Sequence, residues 1–167
     1  MFKSISLKIG AMFVLLTVSV IILIGTFMTD STDRYYHEEF LKNNSAVFTK
    51  DFVKTLSSNI DTEDGTKKIF DSVNAYSGQL GIDSFRNFFI LDGKTGQTIP
   101  ELTTNNDLAK NLELSPNILS AMNGTTGNKI NSEYSYMDYA VPLISGNTVR
   151  YIVYVNDSKE ETNTVLR

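Results

Sequence analysis

The chain has 167 residues, enough for one ordinary domain and one further element, and its 15 basic and 19 acidic side chains give a formal net charge of −4. This acidic balance argues against nucleic acid as a partner, because nucleic-acid binding needs a clustered basic face. Cysteine is absent, so disulfides, thiolate metal sites and cysteine nucleophiles are excluded.

The first element in chain order is an uncharged apolar segment at residues 9–28, with the sequence IGAMFVLLTVSVIILIGTFM. Roughly twenty apolar residues suffice for a helix to cross a bilayer. Because Lys3 and Lys8 precede this segment, the positive-inside tendency places residues 1–8 in the cytoplasm and the following chain outside. A cleaved signal peptide is the alternative, but its apolar core would usually be shorter and followed by a small-residue cleavage site. The sequence therefore favours an uncleaved transmembrane helix.

A long helix is predicted to continue out of the membrane, because no proline or glycine occurs between Thr26 and Asp64. Leu41, Phe48 and Phe52 follow one another at helical spacings of seven and four residues and so lie on one stripe. A second apolar stripe runs beside it, and two stripes indicate two packing partners. We expect one stripe to cover the domain's own sheet and the residues Leu41, Phe48 and Phe52 to form the seam of a parallel homodimer.

Turn residues divide the remaining chain into short elements. In chain order we predict a helix at 69–80, strands at 85–91 and 97–100, a helix at 107–113, a helix capped by Ser115 and stopped by Gly124, a strand at 128–131, two strands within 134–157, and a helix beginning within 158–167. This order predicts an α+β fold in which a five-stranded antiparallel sheet carries helices on both faces. The final hairpin would then be buried on both sides, which accounts for its continuous apolar pattern.

The final hairpin also carries the candidate ligand site. A two-residue turn would place Tyr136 and Asp138 on the same face as Tyr151, with Arg86 of the first strand near them. A buried carboxylate needs a partner, so these four side chains are predicted to meet the amine or hydroxyl groups of a small ligand. The alternative is that Asp138 and Arg150 lie at a water-exposed strand end and are satisfied locally.

No catalytic residue, metal site or cofactor is predicted. His37 is the only histidine, and it lacks the partners that a catalytic triad or a zinc site requires. The acidic runs at 61–64 and 157–161 lack the ligand spacing of a calcium loop. An enzyme is therefore the least favoured class of function for these residues.

Two segments carry a resemblance to a known family, FFILDGKTGQTI at residues 88–99 and YAVPLISGNTVRYIVYVNDSKEE at residues 139–161. Together with the apolar segment and the helix after it, they resemble the extracytoplasmic PAS-like sensor domains of the Cache type, found in bacterial histidine kinases and chemoreceptors. The layout is similar to that of WalK-type and PhoR-type kinases.

The resemblance implies that residues 29–157 form a PAS-like (Cache) sensor domain outside a bacterial cell membrane, and that residues 158–167 lead into a second membrane helix. It also implies a small-molecule or cell-envelope ligand, whose binding would shift helices and so signal to a histidine kinase. Two alternatives stay open, a chemoreceptor input domain and a membrane-anchored protein-interaction module without a small ligand.

Overall fold

A computed structural model describes residues 2–130 and 134–158. The helices and strands, in chain order, are α1 (Phe2–Val47), α2 (Lys50–Ser58), α3 (Gly65–Asn74), α4 (Ser77–Leu80), β1 (Arg86–Asp92), β2 (Thr98–Thr103), α5 (Asn106–Ala109), α6 (Pro116–Met122), β3 (Met137–Ser145) and β4 (Thr148–Asp157). The chain divides into two compact units, one ending at Glu38 and the other beginning at Glu39. The helix expected within residues 158–167 lies almost entirely outside the described residues.

The first unit is the N-terminal part of α1. Its segment Leu7–Met28 is, by length and composition, a helix that could cross a membrane, and none of it is buried inside the structure. The hydroxyl groups within this segment donate to backbone carbonyls four residues earlier, as Thr17 does to Phe13 and Thr26 does to Ile22, both at 2.9 Å. Such internal bonds satisfy polar side chains where lipid supplies no partner.

The second unit is built on a four-stranded antiparallel sheet in the order β2-β1-β4-β3. The α+β class is as predicted, but the described residues contain four strands in this sheet rather than five. In place of the strand expected at 128–131 there is a single bridge, in which Gly127 and Ala140 exchange hydrogen bonds of 2.8 and 2.9 Å. The backbone of Lys129 bonds instead to the side chain of Asn117, through its N–H at 3.0 Å and its carbonyl at 2.8 Å, and so it is not free to extend a ladder.

Helices cover both faces of this sheet, as predicted. On the first face, α1 to α4 contribute core residues Phe40, Val47, Leu56, Ile69, Val73 and Leu80, which pack with Phe88, Ile90, Tyr139, Val141, Leu143, Val153 and Val155 of the sheet. On the second face, Ile118 and Ala121 of α6 pack with Phe89, Leu91, Ala140, Ile152 and Tyr154. Continuous apolar runs in β1, β3 and β4 follow from burial on both faces.

The expected long helix does not run unbroken to residue 60, because α1 ends at Val47 and α2 begins at Lys50. Thr49 between them has extended backbone angles (φ −64°, ψ 159°), and its hydroxyl accepts a hydrogen bond from the N–H of Phe52 at 3.3 Å. This is the geometry of an N-cap, which starts a new helix. A prediction based on proline and glycine alone does not detect a break made by a threonine cap.

The residues expected at a dimer seam pack wholly or partly against the chain's own core. Phe48 is 8% exposed and stacks on Tyr139 with ring centroids 6.1 Å apart. Phe52 is partly buried against the same core and lies 4.9 Å from the ring of Tyr76, and Leu41 also packs against that core. The break at residue 49 places Phe48 and Phe52 against the domain's own core, whereas Leu41 and Phe52 keep some exposed surface, and the parallel homodimer stays a prediction.

The hairpin register differs from the prediction beyond its turn. Leu143 pairs with Tyr151 whereas Ile144 pairs with Val149, so Arg150 is an extra residue in β4. A bulge of this kind places two residues of one strand opposite one residue of its partner. It therefore reverses the face on which every later side chain of the bulged strand lies. The face assignments that an unbulged hairpin predicts for β4 are therefore wrong from Tyr151 onward.

Replacing Thr49 with alanine is expected to lower the free energy of unfolding by about 1 kcal/mol, because the first turn of α2 loses its cap. Chemical denaturation of the full chain in detergent micelles, followed by circular dichroism, measures this loss. Thr55→Ala in the same helix is the matched control, since Thr55 is exposed and bonds only to the carbonyl of Asp51 in its own helix. Equal effects of the two substitutions would contradict the capping role.

Candidate functional site

Three polar side chains form a row across neighbouring strands on the face of the sheet that packs against α6. Asp138 of β3 pairs with Asn156 of β4, which in turn pairs with Asn87 of β1. Asp138 and Asn87 are 5% and 3% exposed, and Asn156 is partly exposed. We call Asp138, Asn156 and Asn87 the polar row. Buried polar side chains in otherwise apolar strands carry a desolvation cost and so need a structural or functional reason.

At one end of the row, Asp138 is held by the first turn of α6. Its Oδ2 accepts a hydrogen bond from the hydroxyl of Ser115, and its Oδ1 accepts one of 2.7 Å from the Nδ2 of Asn117. Ser115 is also the N-cap of α6, because its Oγ accepts the N–H of Ile118 at 3.1 Å. The carboxylate therefore orients the cap and attaches the start of α6 to β3.

Asn117 extends this attachment to the segment after α6. Its Nδ2 also donates to the backbone carbonyl of Asp138 at 3.1 Å, in addition to its two bonds with the backbone of Lys129. A Cβ on Gly127 would lie 2.2 Å from the carbonyl oxygen of Asn117, so only glycine permits this close approach. One asparagine thus joins α6, β3 and the segment around residues 127–129.

The electrostatics of this end favour neutral side chains. Burial raises the pKa of the Asp138 carboxyl above its usual value, and hydrogen bonds from Ser115, Asn117 and Tyr154 oppose that rise. Burial also raises the pKa of Tyr154, and the nearby charge of Asp138 raises it further. Among the described residues Asp138 forms no ion pair, so no cation offsets the cost of its burial.

The other end of the row has unused hydrogen-bonding capacity. The Oδ1 of Asn87 accepts from the hydroxyl of Thr104 at 3.2 Å, whereas its Nδ2 is buried without a partner. Asn156, between the two ends, donates to the hydroxyl of Tyr154 at 3.2 Å. An unsatisfied buried donor costs about 1–3 kcal/mol, so the Asn87 end is the part of the row that would gain most from a bound acceptor.

The structure divides the four predicted ligand residues between the two faces of the sheet. Tyr136 lies near Asp138, whose charge contributes after burial to a raised Tyr136 pKa. Tyr151 packs against the core of the first face, because the bulge at Arg150 reverses its orientation. Arg86 also lies on the first face, where its Nε and Nη2 each approach the Oδ2 of Asp157 at 2.7 Å. The predicted quartet is therefore not a single site.

Sequence reasoning missed the residues that complete the row and its supports, namely Asn87, Asn156, Ser115, Asn117 and Tyr154. The sequence predicts Ser115 only as a cap, and its pattern does not single out the two strand asparagines. Their signal was present, because an asparagine inside FRNFFIL or IVYVND interrupts a run that is otherwise buried. A polar residue in a doubly buried strand indicates either a cross-strand partner or a site.

Within residues 2–130 and 134–158, no group of three or more histidine, aspartate or glutamate side chains is placed to hold a metal ion. Comparisons with protein-family models, curated proteins and solved structures found no match.

Proposed function

We propose that this chain is the extracytoplasmic input domain of a bacterial transmembrane receptor, anchored in the cell membrane by the apolar part of α1 and controlling a histidine kinase. Two features support the proposal. A helix able to cross a membrane precedes an α+β unit whose antiparallel sheet carries helices on both faces. A buried polar row that includes an unpartnered amide donor lies between that sheet and α6. The fold is then of the PAS-like or Cache type.

The unpartnered Nδ2 of Asn87 is the observation that carries the ligand-binding role. Asp138 already accepts hydrogen bonds from α6, whereas Asn87 is buried and offers a donor that nothing in the described chain uses. A ligand that presents a carbonyl, hydroxyl or carboxylate oxygen to Asn87 would remove the cost of this buried donor. Its binding energy would favour the state of the sheet in which Asn87 is placed to donate.

A side chain next to Asn87 supports the transmission of such a change. Arg86, on the opposite face of β1, bonds to Asp157 at the end of β4 and donates to the carbonyl of Leu80 at the end of α4 at 2.8 Å. Its guanidinium also lies 5.1 Å from the ring centroid of Phe40 in α1. A shift of β1 at Asn87 would therefore act, through Arg86, on both α1 and the end of β4.

The experiment is a thermal-melting screen of the full chain in detergent micelles against a panel of sugars, amino acids and small carboxylic acids. A ligand should raise the melting temperature, since binding to the folded state alone stabilises it by about 2.7 kcal/mol at a hundred times Kd. Asn87→Leu should abolish the shift, while Asn111→Leu, at an exposed asparagine, should leave it unchanged. A shift that survives Asn87→Leu would place the ligand elsewhere.

Signalling itself is tested by joining the chain after Arg167 to the second membrane helix and kinase of a characterised receptor. The screened ligand should change kinase output in the fusion, and Asn87→Leu should remove that change. Output that stays constant with bound ligand would exclude the input role without excluding binding. A fusion to a chemoreceptor output gives the same test for the other receptor class.

A second candidate function is a membrane-anchored protein-interaction module. It is favoured by the Asp138 end of the row, where Ser115 and Asn117 already occupy both carboxylate oxygens and leave that end closed to a ligand. In this case no member of the panel would shift the melting temperature, and the polar row would serve only to hold α6 on the sheet.

A further inference from the structure

A second polar site lies at the other end of the sheet, on a surface cavity of about 140 Å³. Its lining residues are Asp92, Lys94, Val149, Arg150 and Tyr151. In the ladder between β1 and β4, Asp92 pairs with Tyr151 at one end and Arg86 pairs with Asp157 at the other. The cavity is therefore remote from the Arg86 end and separate from the polar row.

The walls of this cavity are fixed by a close backbone contact. The N–H of Gly93 donates to the carbonyl of Arg150 at 2.9 Å, so the turn after β1 is attached directly to the bulge in β4. A Cβ at position 93 would lie 2.4 Å from the carbonyl oxygen of Val149, and only glycine allows this approach. Because bulges re-aim side chains, this contact determines where Arg150 and Lys94 leave the backbone.

The cavity carries two cations and one carboxylate, of which one oxygen is engaged in the turn. The Oδ1 of Asp92 accepts the N–H groups of Lys94 and Thr95 at 3.0 and 2.8 Å, and the hydroxyl of Thr95 at 3.0 Å. These bonds fold the carboxylate into its own turn and, led by the Thr95 N–H, lower the pKa of Asp92. Neither Arg150 nor Lys94 forms an ion pair within 4 Å among the described residues.

We propose that this cavity binds the oxoanion group of a small solute, a carboxylate or a phosphate. Arg150 supplies a planar guanidinium that can donate two parallel hydrogen bonds to such a group. Lys94, which lines the same cavity, adds a second positive charge. The volume suits one small anion, and both cations border it.

This site is independent of the proposed ligand at Asn87, and either can be present without the other. The bulge keeps Arg150 available to this site, because in an unbulged β4 the side chain of residue 150 would face the buried layer on one side of the sheet. Arg150 is exposed in the structure, so its charge remains in water until an anion displaces that water.

The test is a titration of the full chain in detergent micelles with inorganic phosphate, and in parallel with acetate, at constant ionic strength. Amide resonances of Gly93 and Arg150 are followed by NMR. We expect saturable shifts at millimolar concentrations with at least one of the two anions. Arg150→Gln should weaken binding about tenfold, as the loss of a charge-assisted hydrogen bond predicts. Lys67→Gln, at an exposed lysine of α3 outside the cavity, should leave the affinity unchanged.

Saturation by one anion alone identifies the oxoanion class that the cavity accepts. Absence of saturable shifts with both anions, or equal affinity in the wild type and Arg150→Gln, overturns the proposal. Lys94→Gln provides a second variant at an exposed position, and it should also weaken binding if the two cations act together. If Arg150→Gln and Lys94→Gln both bind phosphate as the wild type does, the phosphate does not bind in this cavity.

Discussion

Replacing either Arg86 or Asp157 with alanine should lower the free energy of unfolding by about 3 kcal/mol, which is the lower part of the range for breaking a buried ion pair. The two side chains are only 15% and 12% exposed, and they meet through two contacts of 2.7 Å. Removal of one partner leaves the other charge in a poorly solvated position. The loss should therefore exceed that of any surface pair in the chain.

A double-mutant cycle measures this coupling. The double variant Arg86→Ala/Asp157→Ala should cost less than the sum of the two single variants, with a coupling energy of about 2 kcal/mol. The matched control is the pair Lys67 and Asp71, whose contact is similarly short at 2.6 Å but whose side chains are 70% and 56% exposed. Substitutions there should leave the unfolding midpoint unchanged, because solvent screens exposed pairs. Additive costs at Arg86 and Asp157 would show that they do not act as a pair.

The function of this ion pair depends on its location. Arg86 begins β1, Asp157 ends β4, and the same guanidinium contacts Phe40 of α1 and the last carbonyl of α4. Within the second unit, one side chain thus joins α1, α4, β1 and β4. If the chain has the proposed input role, weakening this contact should alter kinase output even without ligand, a result that a purely local stabilising pair would not produce.

Local chemistry in the sequence was sufficient to predict several elements. Ser115 caps α6 with Pro116 at its first position, as their spacing indicated, and the apolar run FRNFFIL forms β1. The turn at Gly146 joins two strands. These features are determined by residues close together in the chain, and so they can be recognised without tertiary information. The predicted helix at 69–80 also forms, but as two pieces, α3 and α4, separated near Tyr76.

The site could not be predicted in the same way, because it depends on register. The extra residue Arg150 turns the side chain of Tyr151 toward the core of the first face. In β1, Asn87 lies on the same face as Asp138, whereas its neighbour Arg86 lies on the opposite face. Side chains alternate with a period of two, so an error of one residue moves a whole set to the other face. A bulge is fixed by contacts with a distant segment, here the turn at Gly93, and leaves no local signal in the sequence.

Asp138→Ala should lower the free energy of unfolding at neutral pH by about 2 kcal/mol, because Ser115 and Asn117 lose a buried acceptor. The loss of local stability should be greatest where α6 packs against β3. Hydrogen exchange of the full chain should therefore show faster exchange at Ile118, whose N–H depends on the orientation of Ser115. Uniform loss of protection across the sheet would indicate a general defect and contradict an attachment specific to α6.

The pH dependence of stability provides a sharper test of Asp138. Because burial raises its folded-state pKa above the ordinary value of 3.8, protonation favours the folded state. Its stabilising contribution is fully present below that ordinary pKa and is lost as pH rises through the folded pKa. The stability of the wild type relative to Asp138→Asn should therefore fall between pH 4 and neutrality, with a slope of at most about 1.4 kcal/mol per pH unit.

Asp92→Asn is a control of opposite sign for this measurement. Hydrogen bonds led by the N–H of Thr95 lower the pKa of Asp92, so its contribution is present above the ordinary pKa and is lost as pH falls. Denaturation of the wild type and both variants across the pH series should give differences that change in opposite directions. A difference for Asp138→Asn that is constant with pH, or that grows toward neutrality, would mean that the hydrogen bonds from α6 outweigh the burial of its carboxylate.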